Sequence, residues 1–586
     1  MSDDESAARF GIMDYVVFSC LLLVSALIGL YYGCSGGKQK TQGEWLAGNR
    51  DLDWLPTSLS LLASFISAIT LLGTPSELYT AGSMYFYLAM TYFVVIPVTA
   101  CFFMPVFRRA NSLSAFMYIE RRFNKTVSLI ACSLYIVQMV LYMGIVLYSP
   151  ALALNAVTGL SLEGSIVAVS LVCIFYTVVG GMKAIIWTDA LQTMVMILGM
   201  IIISIAGTYK VGGISAVYEI TKKGYHLEFD NFSLDPRVRH SGTDLMIGGI
   251  FTWLSIYAAN QAQVQRYISV GTKRDAQKAI FLNLPGLIFL MLISGYCGLL
   301  AYTKYALCDP IKSGIIQKPD QILPYFVTDT FATWPGFGGL FVSSIFSGSL
   351  STISSGVNAL AAVVLTNLIP EQYLGQEVRA KLGKLIAVVF GLLALGFAFI
   401  CKYLDSVLQL ALSLFGLLAG PLLGLFTLGM ASRRSNGIGA TVGYITSLLI
   451  QVLIYWGSQT VDYSASKLIL YDSNCTATSR APLDQILHQL DFNQNTFGYK
   501  TDTSDTSEFN IMENSVFRLS YMWYGCIGFT WTVVVGYLVS LIVRVVNKSE
   551  KETSPDEDLL FHFHDIFPSS GDSRLSLELA LGDANC

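Results

Sequence analysis

The sequence predicts an all-α polytopic membrane protein with about thirteen transmembrane helices. Hydrophobic residues make up 53% of the 586 residues, and the mean hydropathy is +0.56. Charged residues make up 13%, whereas a soluble domain carries roughly 25%. The apolar residues are also gathered into runs of about 20 residues, the length that a helix needs to cross the hydrocarbon core.

Thirteen apolar runs follow one another along the chain, and each predicts one spanning helix. The first, 12–32, is too long for the apolar core of a signal peptide, so we expect it to remain as a helix. The others are 55–79, 85–107, 127–148, 164–179, 187–207, 245–261, 279–302, 337–368, 385–403, 407–430, 437–456 and 521–543. Because thirteen is odd, the termini are expected on opposite sides.

Basic residues are concentrated in the short loops on one side of the predicted bundle, which the positive-inside rule makes the cytosolic side. In a plasma-membrane protein, 1–11 would then lie outside the cell, 12–545 in the membrane region and 546–586 inside. The polar stretch 458–518 becomes an external loop, and we expect both it and the tail to be poorly ordered. The basic residues are Lys38, Lys40, Arg108, Arg109, Arg121, Arg122, Lys125, Lys183, Arg266, Lys273, Arg274, Arg379, Lys381, Lys384, Arg433, Arg434, Arg544 and Lys548.

Two sequons and two cysteines fall in the predicted external loops. Asn231 and Asn474 each open an Asn-x-Ser/Thr motif and are candidate glycan acceptors. Cys308 and Cys475 are a candidate disulfide, although two unrelated thiols fit the sequence equally well.

The sequence lacks the signatures of ATP-driven transport, of common enzymes and of nucleic-acid binding. It has no G-x-x-x-x-G-K-[ST] loop, no H-E-x-x-H pair and no C-x-x-C motif. The net charge is −4, and no basic domain stands out. We therefore expect no enzyme activity, no resident cofactor and no nucleic-acid partner.

The second run has a small, hydroxylated middle that Gly73 and Pro75 are expected to interrupt. A helix broken at membrane depth frees carbonyls from one half and amides from the other, and transporters use these groups to hold a cation beside an anion. A Pro-kinked packing helix with small residues at a helix contact fits the same sequence.

The ninth run places Gly348, Ser351 and Thr352 at positions i, i+3 and i+4, so a carbonyl and two hydroxyls share one helix face. Hard cations prefer oxygen ligands, and this face offers three. The alternative is that the hydroxyls bond back to their own helix.

The sixth run opens with Asp189, followed three residues later by Gln192. A carboxylate inside a membrane is expensive and therefore predicts a functional site, with an ion pathway as the first idea to test. The alternative is an acid that the helix dipole favours in a first turn.

The seventh run ends in a cluster of amides. Asn260 and Gln261 lie deep enough to need partners. Gln263 and Gln265, beside Arg266, fit a wet interface.

The stretch from Tyr176 to Gln192 (YTVVGGMKAIIWTDALQ) resembles the signature of the sodium:solute symporter family. The second run, residues 260–267 and Leu350-Ser351-Thr352 with Asn358 are similar to its animal branch, which includes sodium-coupled monocarboxylate, multivitamin and iodide transporters. The resemblance covers roughly 12–456 and the last run. It implies a LeuT-type 5+5 inverted repeat, with the repeats at about 55–207 and 243–431.

The resemblance also implies positions for the coupling ion and the substrate. One sodium ion would be held by the backbone carbonyls of Ala63 and Ile66 and by Gly348, Ser351 and Thr352. A second sodium site, as in iodide-transporter-like members, would map to Ser64, Asp189, Gln192 and Gln261. The substrate would contact Phe65, Thr70, Ala89, Tyr92, Trp253, Tyr257 and Leu412.

The substrate positions favour a small carboxylate over iodide, because Thr70 and Tyr92 stand where iodide transporters have amides. The hydroxyls of Thr70 and Tyr257, with amides at the expected Gly73 break, suit a carboxylate. The resemblance thus implies a sodium symporter that imports a monocarboxylate of the lactate, pyruvate or short-chain fatty acid type by alternating access. The alternatives are a multivitamin or iodide-type transporter, and a channel or non-transporting sensor on the same fold.

Overall fold

The computed structural model describes residues 10–34, 41–48, 50, 52–64, 66–110, 113–158, 161–370, 372, 374–403, 407–459, 468, 470–471, 483–497, 516–546, 556–562 and 565. Most of the described residues are helical, and Leu52 and Val270 form an isolated parallel β-bridge.

The described residues form the α-helices α1 to α21, and π-helical turns connect or extend several of them. The helices are α1 (Ile12–Cys34), α2 (Gln42–Ala47), α3 (Trp54–Ala63), α4 (Ala68–Ala81), α5 (Leu88–Val98), α6 (Met104–Arg109), α7 (Ala115–Arg122), α8 (Lys125–Thr158), α9 (Leu162–Lys210), α10 (Ile214–Lys223), α11 (Gly249–Ala259), α12 (Gln261–Ser269), α13 (Lys273–Tyr305), α14 (Ile322–Phe331), α15 (Phe337–Val363), α16 (Gln376–Cys401), α17 (Val407–Leu414), α18 (Gly420–Ala431), α19 (Gly437–Ser458), α20 (Leu483–Phe497) and α21 (Trp523–Val546).

The described helices confirm a polytopic membrane protein. Ten of them are long and apolar enough to cross a membrane, and the pair α3–α4 makes an eleventh span with a 52° bend. Two shorter apolar helices, Leu162–Phe175 and Asp244–Ala259, lie where the fifth and seventh spans are expected. The number thirteen stays a prediction.

The predicted fifth and sixth spans are continuous in α9 except for a kink at Gly181. Its backbone angles, φ 59° and ψ −167°, lie in a region that glycine alone adopts readily. The Gly-Gly pair in the motif therefore marks the boundary between the two spans.

The second span breaks between Ala63 and Ala68, upstream of the predicted position. Ser67 caps α4, and its hydroxyl accepts a hydrogen bond from the Ile69 amide at 3.2 Å. The break thus lies in a segment with neither glycine nor proline.

The prediction that Gly73 and Pro75 interrupt the helix is wrong, because both lie inside α4. Proline removes one backbone donor without ending the helix. Gly73 is a packing glycine, since a Cβ there would lie 2.5 Å from Leu408 Cβ of α17. The packing alternative therefore applies to this glycine.

A second break separates α11 from α12 at Asn260. The Asn260 side chain accepts hydrogen bonds from the Ala262 amide at 2.9 Å and the Tyr135 hydroxyl at 3.1 Å. The deep amide therefore has partners, as expected. Each predicted repeat contains one broken helix.

The centre of the bundle is α15, which contacts α1, α3, α4, α8, α9, α12 and α16. Of its apolar segment, 94% is buried inside the protein, against 28% for α16 and 22% for α21. The small, hydroxylated helix is thus the core, and α16 and α21 present their surface to lipid.

One end of the bundle, which we call the arginine-rich face, carries Arg108, Arg122 and Arg379. Their guanidinium groups donate to backbone carbonyls at helix ends, where four carbonyls lack intrahelical partners. Arg108 reaches Tyr267, Val270 and Gly271, Arg122 reaches Gly429, Ser432 and Ser435, and Arg379 reaches Leu365, Ile369 and Pro370.

The described part of the tail packs against the arginine-rich face, which corrects the expectation of poor order for 556–562 and 565. The Tyr118 hydroxyl donates to Leu559 O at 3.0 Å, and the Phe561 amide donates to Met430 O at 3.0 Å. Asp565 pairs with Arg109 at 2.5 Å. These contacts span α6, α7 and α18.

The expected external loop also contains an element that its composition did not suggest. Residues Leu483–Phe497 form α20, which pairs with α10 through Lys223 and Asp491 at 2.6 Å. An amphipathic helix with a docking partner orders this part of a polar stretch.

The candidate modification sites are described in part. Asn231 is half-buried, and Cys308 is disulfide-bonded. Asn474 and Cys475 lie outside the described residues, so both glycans and the Cys308–Cys475 pairing stay predictions.

Candidate functional site

The backbone of α15 lies directly against the α3–α4 break. A Cβ on Gly348 would lie 3.0 Å from Ile66 O and 3.0 Å from Ala68 N. Ala63 is the last residue of α3, where carbonyls lack intrahelical partners. Glycine at 348 therefore lets the carbonyls of the break and of α15 approach each other.

Two hydroxyls complete this cluster of oxygens. Thr352 Oγ1 lies 2.9 Å from Gly348 O and 3.4 Å from Ser64 O. Ser351 Oγ is buried and has no hydrogen-bond partner among the described residues. Gly348 and Thr352 thus lie against the α3–α4 break, although the shorter Thr352 bond runs back to its own helix. The grouping of Ala63, Ile66, Gly348, Ser351 and Thr352 into one ion site stays a prediction.

The oxygen-only donor set fits a sodium ion, because hard cations take carbonyl and hydroxyl oxygens. A buried hydroxyl without a partner is costly, and a bound cation would satisfy it. The C-terminal end of α3 adds the negative end of its helix dipole.

Beside this cluster, Asp189 and Arg266 form a buried ion pair. Arg266 Nη2 donates to Asp189 Oδ2 at 2.9 Å, and the two side chains are 1% and 0% exposed. Ser60 Oγ donates to the same oxygen at 2.5 Å. Arg266 also donates to Ser355 Oγ. The pair therefore links α3, α9, α12 and α15.

The assignment of Arg266 to a cytosolic loop is wrong, because its guanidinium is buried. A buried carboxylate needs a counter-charge, and Arg266 supplies it to Asp189. Gln263 and Gln265 are also buried rather than wet, and they donate to Leu61 O at 3.4 Å and Leu46 O at 2.5 Å.

The residues assigned to a second sodium ion are only partly brought together. Ser64 Oγ lies 3.3 Å from Ser355 Oγ, next to the ion pair. Asp189 Oδ1 and both amide atoms of Gln192 are buried, and the described part of the chain offers them no hydrogen bond.

Gln261 points elsewhere. Its Oε1 accepts from the Ala115 amide at 2.7 Å and its Nε2 donates to Leu113 O at 2.9 Å. Both ends of this amide are used where the chain enters α7, and the structure does not bring them to Asp189.

A small cavity of about 30 Å³, roughly the volume of one water molecule, lies beside the start of α4. Of the predicted substrate residues, Thr70, Trp253 and Leu412 line it. The further lining residues, which sequence reasoning missed, are Ser67, Ile69, Thr74, Tyr85, Leu88, Tyr142, Ile256, Met291, Leu408, Ala411 and Phe415.

The other predicted substrate residues surround this lining. Tyr92 and Tyr257 pack against Trp253, with ring centroids 5.1 Å and 6.5 Å apart. Ala89 is buried beside Leu88. Phe65 lies outside the described residues.

The polar groups of the cavity are concentrated at the start of α4. Ser67, Thr70 and Thr74 present hydroxyls there, at the positive end of the helix dipole. Most of the other lining is apolar. A small molecule with one anionic end and an apolar body matches this distribution.

Comparisons with known proteins show the family of the chain. The model of the sodium:solute symporter family matches residues 45–447. Human sodium-coupled monocarboxylate transporter 1 is 39% identical over 583 residues, covering 97% of this chain and 93% of that protein. Sodium-coupled monocarboxylate transporter 2 of Danio rerio is 38% identical, covering 92% of this chain and 85% of that protein.

Two further relatives extend the comparison. The putative sodium-dependent multivitamin transporter of Drosophila melanogaster is 38% identical, covering 96% of this chain and 91% of that protein. The solved structure of a Na⁺-coupled sialic acid symporter, in a substrate-bound outward-open state, has a TM-score of 0.71 at 23% identity. That alignment covers 91% of this chain and 98% of the other, so the two chains share a fold.

Proposed function

The chain belongs to the sodium:solute symporter family, and from this premise we propose that it imports a small monocarboxylate into the cell by sodium symport. The shared fold confirms the LeuT-type class expected from the sequence. The observation that carries the proposal is the pairing of an oxygen cluster and an anion-suited cavity at one helix break.

The first sodium ion would bind to the carbonyls of Ala63, Ile66 and Gly348 and to the hydroxyls of Ser351 and Thr352. Support comes from the contact of Gly348 with the break and from the unpaired Ser351 hydroxyl. Sodium would tie α15 to the break and thereby fix the position of α4.

A second sodium ion would bind to Ser64, Asp189 and Gln192. The buried Asp189 carboxylate and the Gln192 amide, which has no hydrogen-bond partner among the described residues, support this assignment. Gln261 would join them only after leaving its contacts with Leu113 and Ala115.

The monocarboxylate would place its carboxylate at the start of α4 and its apolar body against Trp253, Leu412 and the rest of the lining. The relatives that are 38% to 39% identical and act on monocarboxylates support this class. A multivitamin substrate is the second candidate, because the Drosophila relative covers as much of the chain at 38% identity.

Sodium and substrate would be coupled through the α3–α4 break that both contact. Whichever binds first orders the break and lowers the entropic cost for the other. Linkage then requires that sodium and substrate raise each other's affinity by the same factor.

Orientation in the plasma membrane follows from the basic residues. We place the arginine-rich face and the tail in the cytosol and the N-terminus outside. Asn231 and Asn474 would then face the glycosylation machinery, and Cys475 is the proposed partner of Cys308.

Uptake by purified protein in vesicles tests the proposal. Labelled lactate, pantothenate and iodide are supplied with an inward sodium gradient or with choline in place of sodium. We expect lactate to accumulate only with sodium. Accumulation that is indifferent to choline replacement contradicts sodium coupling. Pantothenate uptake without lactate uptake favours the multivitamin assignment, and substrate-independent currents favour a channel.

A further inference from the structure

A second buried ion pair, Glu77 with Arg239, lies apart from the sodium and substrate residues. Arg239 Nη2 donates to both Glu77 oxygens, at 2.8 Å and 2.9 Å. The side chains are 7% and 10% exposed. The guanidinium is therefore engaged by a carboxylate in a nearly water-free setting.

Two connections along the chain place this pair next to the cavity. Glu77 follows the lining residue Thr74 by one turn of α4. Gln409, which follows the lining residue Leu408, accepts from Arg239 Nη1 at 3.3 Å. The pair therefore lies over the wall of the cavity.

The pair also lies at the end of the bundle opposite the arginine-rich face. The chain enters α3 at Leu52, whose amide donates to Ser269 O at 3.2 Å, next to the carbonyls that Arg108 contacts. From there α3 and α4 cross the bundle, and Glu77 lies near the far end. In the proposed orientation, that end is the entrance from outside the cell.

The surroundings hold Arg239 independently of Glu77. Its guanidinium carbon lies 5.5 Å from the centre of the Tyr521 ring, a cation–π contact. The Tyr521 hydroxyl is 3.1 Å from His240 Nε2, and the His240 ring lies 5.3 Å from the ring of the lining residue Tyr85. The guanidinium can therefore keep its position when Glu77 moves away.

Building on the proposed function, we propose that Arg239 is an entrance site for the substrate carboxylate. The group that Arg239 now binds, a carboxylate whose two oxygens both accept from Nη2, is chemically the same as the charged end of a monocarboxylate. An entering anion would replace Glu77 on the guanidinium. When the substrate moves on to the start of α4, Glu77 returns and closes the cavity.

This exchange solves a problem that opening would otherwise create. Separating a buried ion pair leaves two charges without partners, which is strongly unfavourable. If a substrate carboxylate takes the place of Glu77, Arg239 stays paired throughout, and Glu77 retains His240 as a neighbour, with Nε2 3.6 Å from Oε2. A neutral substrate cannot do this, so the exchange also selects for anions.

Two single substitutions distinguish an entrance site from a simple lock. If the ion pair only holds the cavity closed, Glu77→Gln and Arg239→Gln break the same contact and shift uptake in the same way. In an entrance site the effects differ, because Arg239→Gln removes the partner of the substrate and Glu77→Gln removes its competitor. We expect Arg239→Gln to raise the KM for lactate about tenfold, the loss of one charge-assisted hydrogen bond. Glu77→Gln should lower Vmax without raising KM.

Arg237→Gln is the matched control. Arg237 carries the same charge on the same loop, but it is 41% exposed and pairs with Asp235 at 2.7 Å. Its KM should equal that of the wild type, which excludes a general effect of loop charge. Arg239→Lys keeps the charge but loses the Nη1 contact to Gln409 and the planar group over the Tyr521 ring, so it should raise KM several-fold. It decides the question if Arg239→Gln does not reach the cell surface.

Equal KM shifts in Glu77→Gln and Arg239→Gln, or a KM within about twofold of wild type in both Arg239 variants, would overturn the entrance site. Uptake by the wild-type protein distinguishes a failure of the entrance site from a failure of the proposed function. If wild-type protein accumulates lactate with sodium, a failed KM pattern overturns only the entrance site. If wild-type protein does not, the monocarboxylate assignment and the entrance site fall together.

Discussion

Replacing Thr352 with valine removes one oxygen from the proposed sodium site and keeps the shape of the side chain. Thr352 is 3% exposed, and its hydroxyl lies 2.9 Å from Gly348 O and 3.4 Å from Ser64 O. Valine therefore fills the same space between α15 and the α3–α4 break. The change tests the ion ligand rather than the packing.

The expected magnitude follows from the loss of one charge–dipole contact. A hydrogen bond to a charged group contributes about 1.5–3 kcal/mol, which corresponds to about 10- to 150-fold in binding. We expect the sodium concentration for half-maximal lactate uptake to rise by that factor. At saturating sodium, the maximal rate should recover in part, because four of the five oxygens remain.

The assay is sodium-dependent uptake of labelled lactate in cells, normalised to surface protein. Ser354→Ala is the matched control, because Ser354 is equally buried in α15 and its hydroxyl bonds to Ser351 O of its own helix at 3.0 Å. An unchanged sodium dependence in Thr352→Val refutes the assignment of this oxygen. So does an equal shift in Ser354→Ala.

Three further changes probe other parts of the structure. Asp189→Asn leaves the guanidinium of Arg266 buried without a counter-charge, and we expect a loss of about 3–5 kcal/mol in stability, seen as a lower melting temperature of the protein in detergent. Gly348→Ala adds a Cβ 3.0 Å from Ile66 O and should abolish sodium-dependent uptake, whereas Gly396→Ala on α16, where the added methyl group meets open space, should not. Burial raises the pKa of Asp320 from 3.8 to about 6, so its charge lowers stability as pH rises between these values; Asp320→Asn, which can still accept from the Val407 amide, should raise the melting temperature at pH 7.5 and not near pH 4.

Each of these expectations has a contrary outcome. A melting temperature in Asp189→Asn equal to that of wild type would mean that the ion pair adds nothing to the fold. Sodium-dependent uptake by Gly348→Ala would remove the close contact from the mechanism. A stabilisation by Asp320→Asn that is the same at both pH values would point to a cause other than the buried charge.

The shared face of Gly348, Ser351 and Thr352 on α15, which we propose binds sodium, could be predicted because it is local. Gly348, Ser351 and Thr352 share a face by helix geometry alone, whatever packs against them. The break that meets them could not be located in the same way. Glycine and proline are the usual signals of a break, yet Gly73 and Pro75 lie inside α4 while the chain opens at 64–67. The opening depends on contacts with α15, which are long-range.

The buried charges show the same limit. The alternation of apolar runs and polar loops predicts that Arg266 is exposed to water, because an arginine after an apolar run normally marks the end of a transmembrane helix. The feature that reverses this assignment is Asp189, which lies in another helix 77 residues away and becomes its partner only in the folded protein. The sequence does contain a signal: Asp189 lies in one apolar run, and Arg266 lies near the end of another. Two opposite charges in apolar surroundings predict a buried ion pair.

The arginine-rich face gives one set of residues two successive tasks. In the proposed orientation, Arg108, Arg122 and Arg379 act during membrane insertion as positive charges that hold their loops in the cytosol. After assembly, their planar donor groups fasten helix ends, a task that requires a fork of N–H groups rather than a charge. We therefore expect Arg379→Lys to insert into the membrane with the correct topology and then to pack its helix ends less stably. Such a substitution separates the effect of an arginine on membrane topology from its effect on the stability of the folded protein.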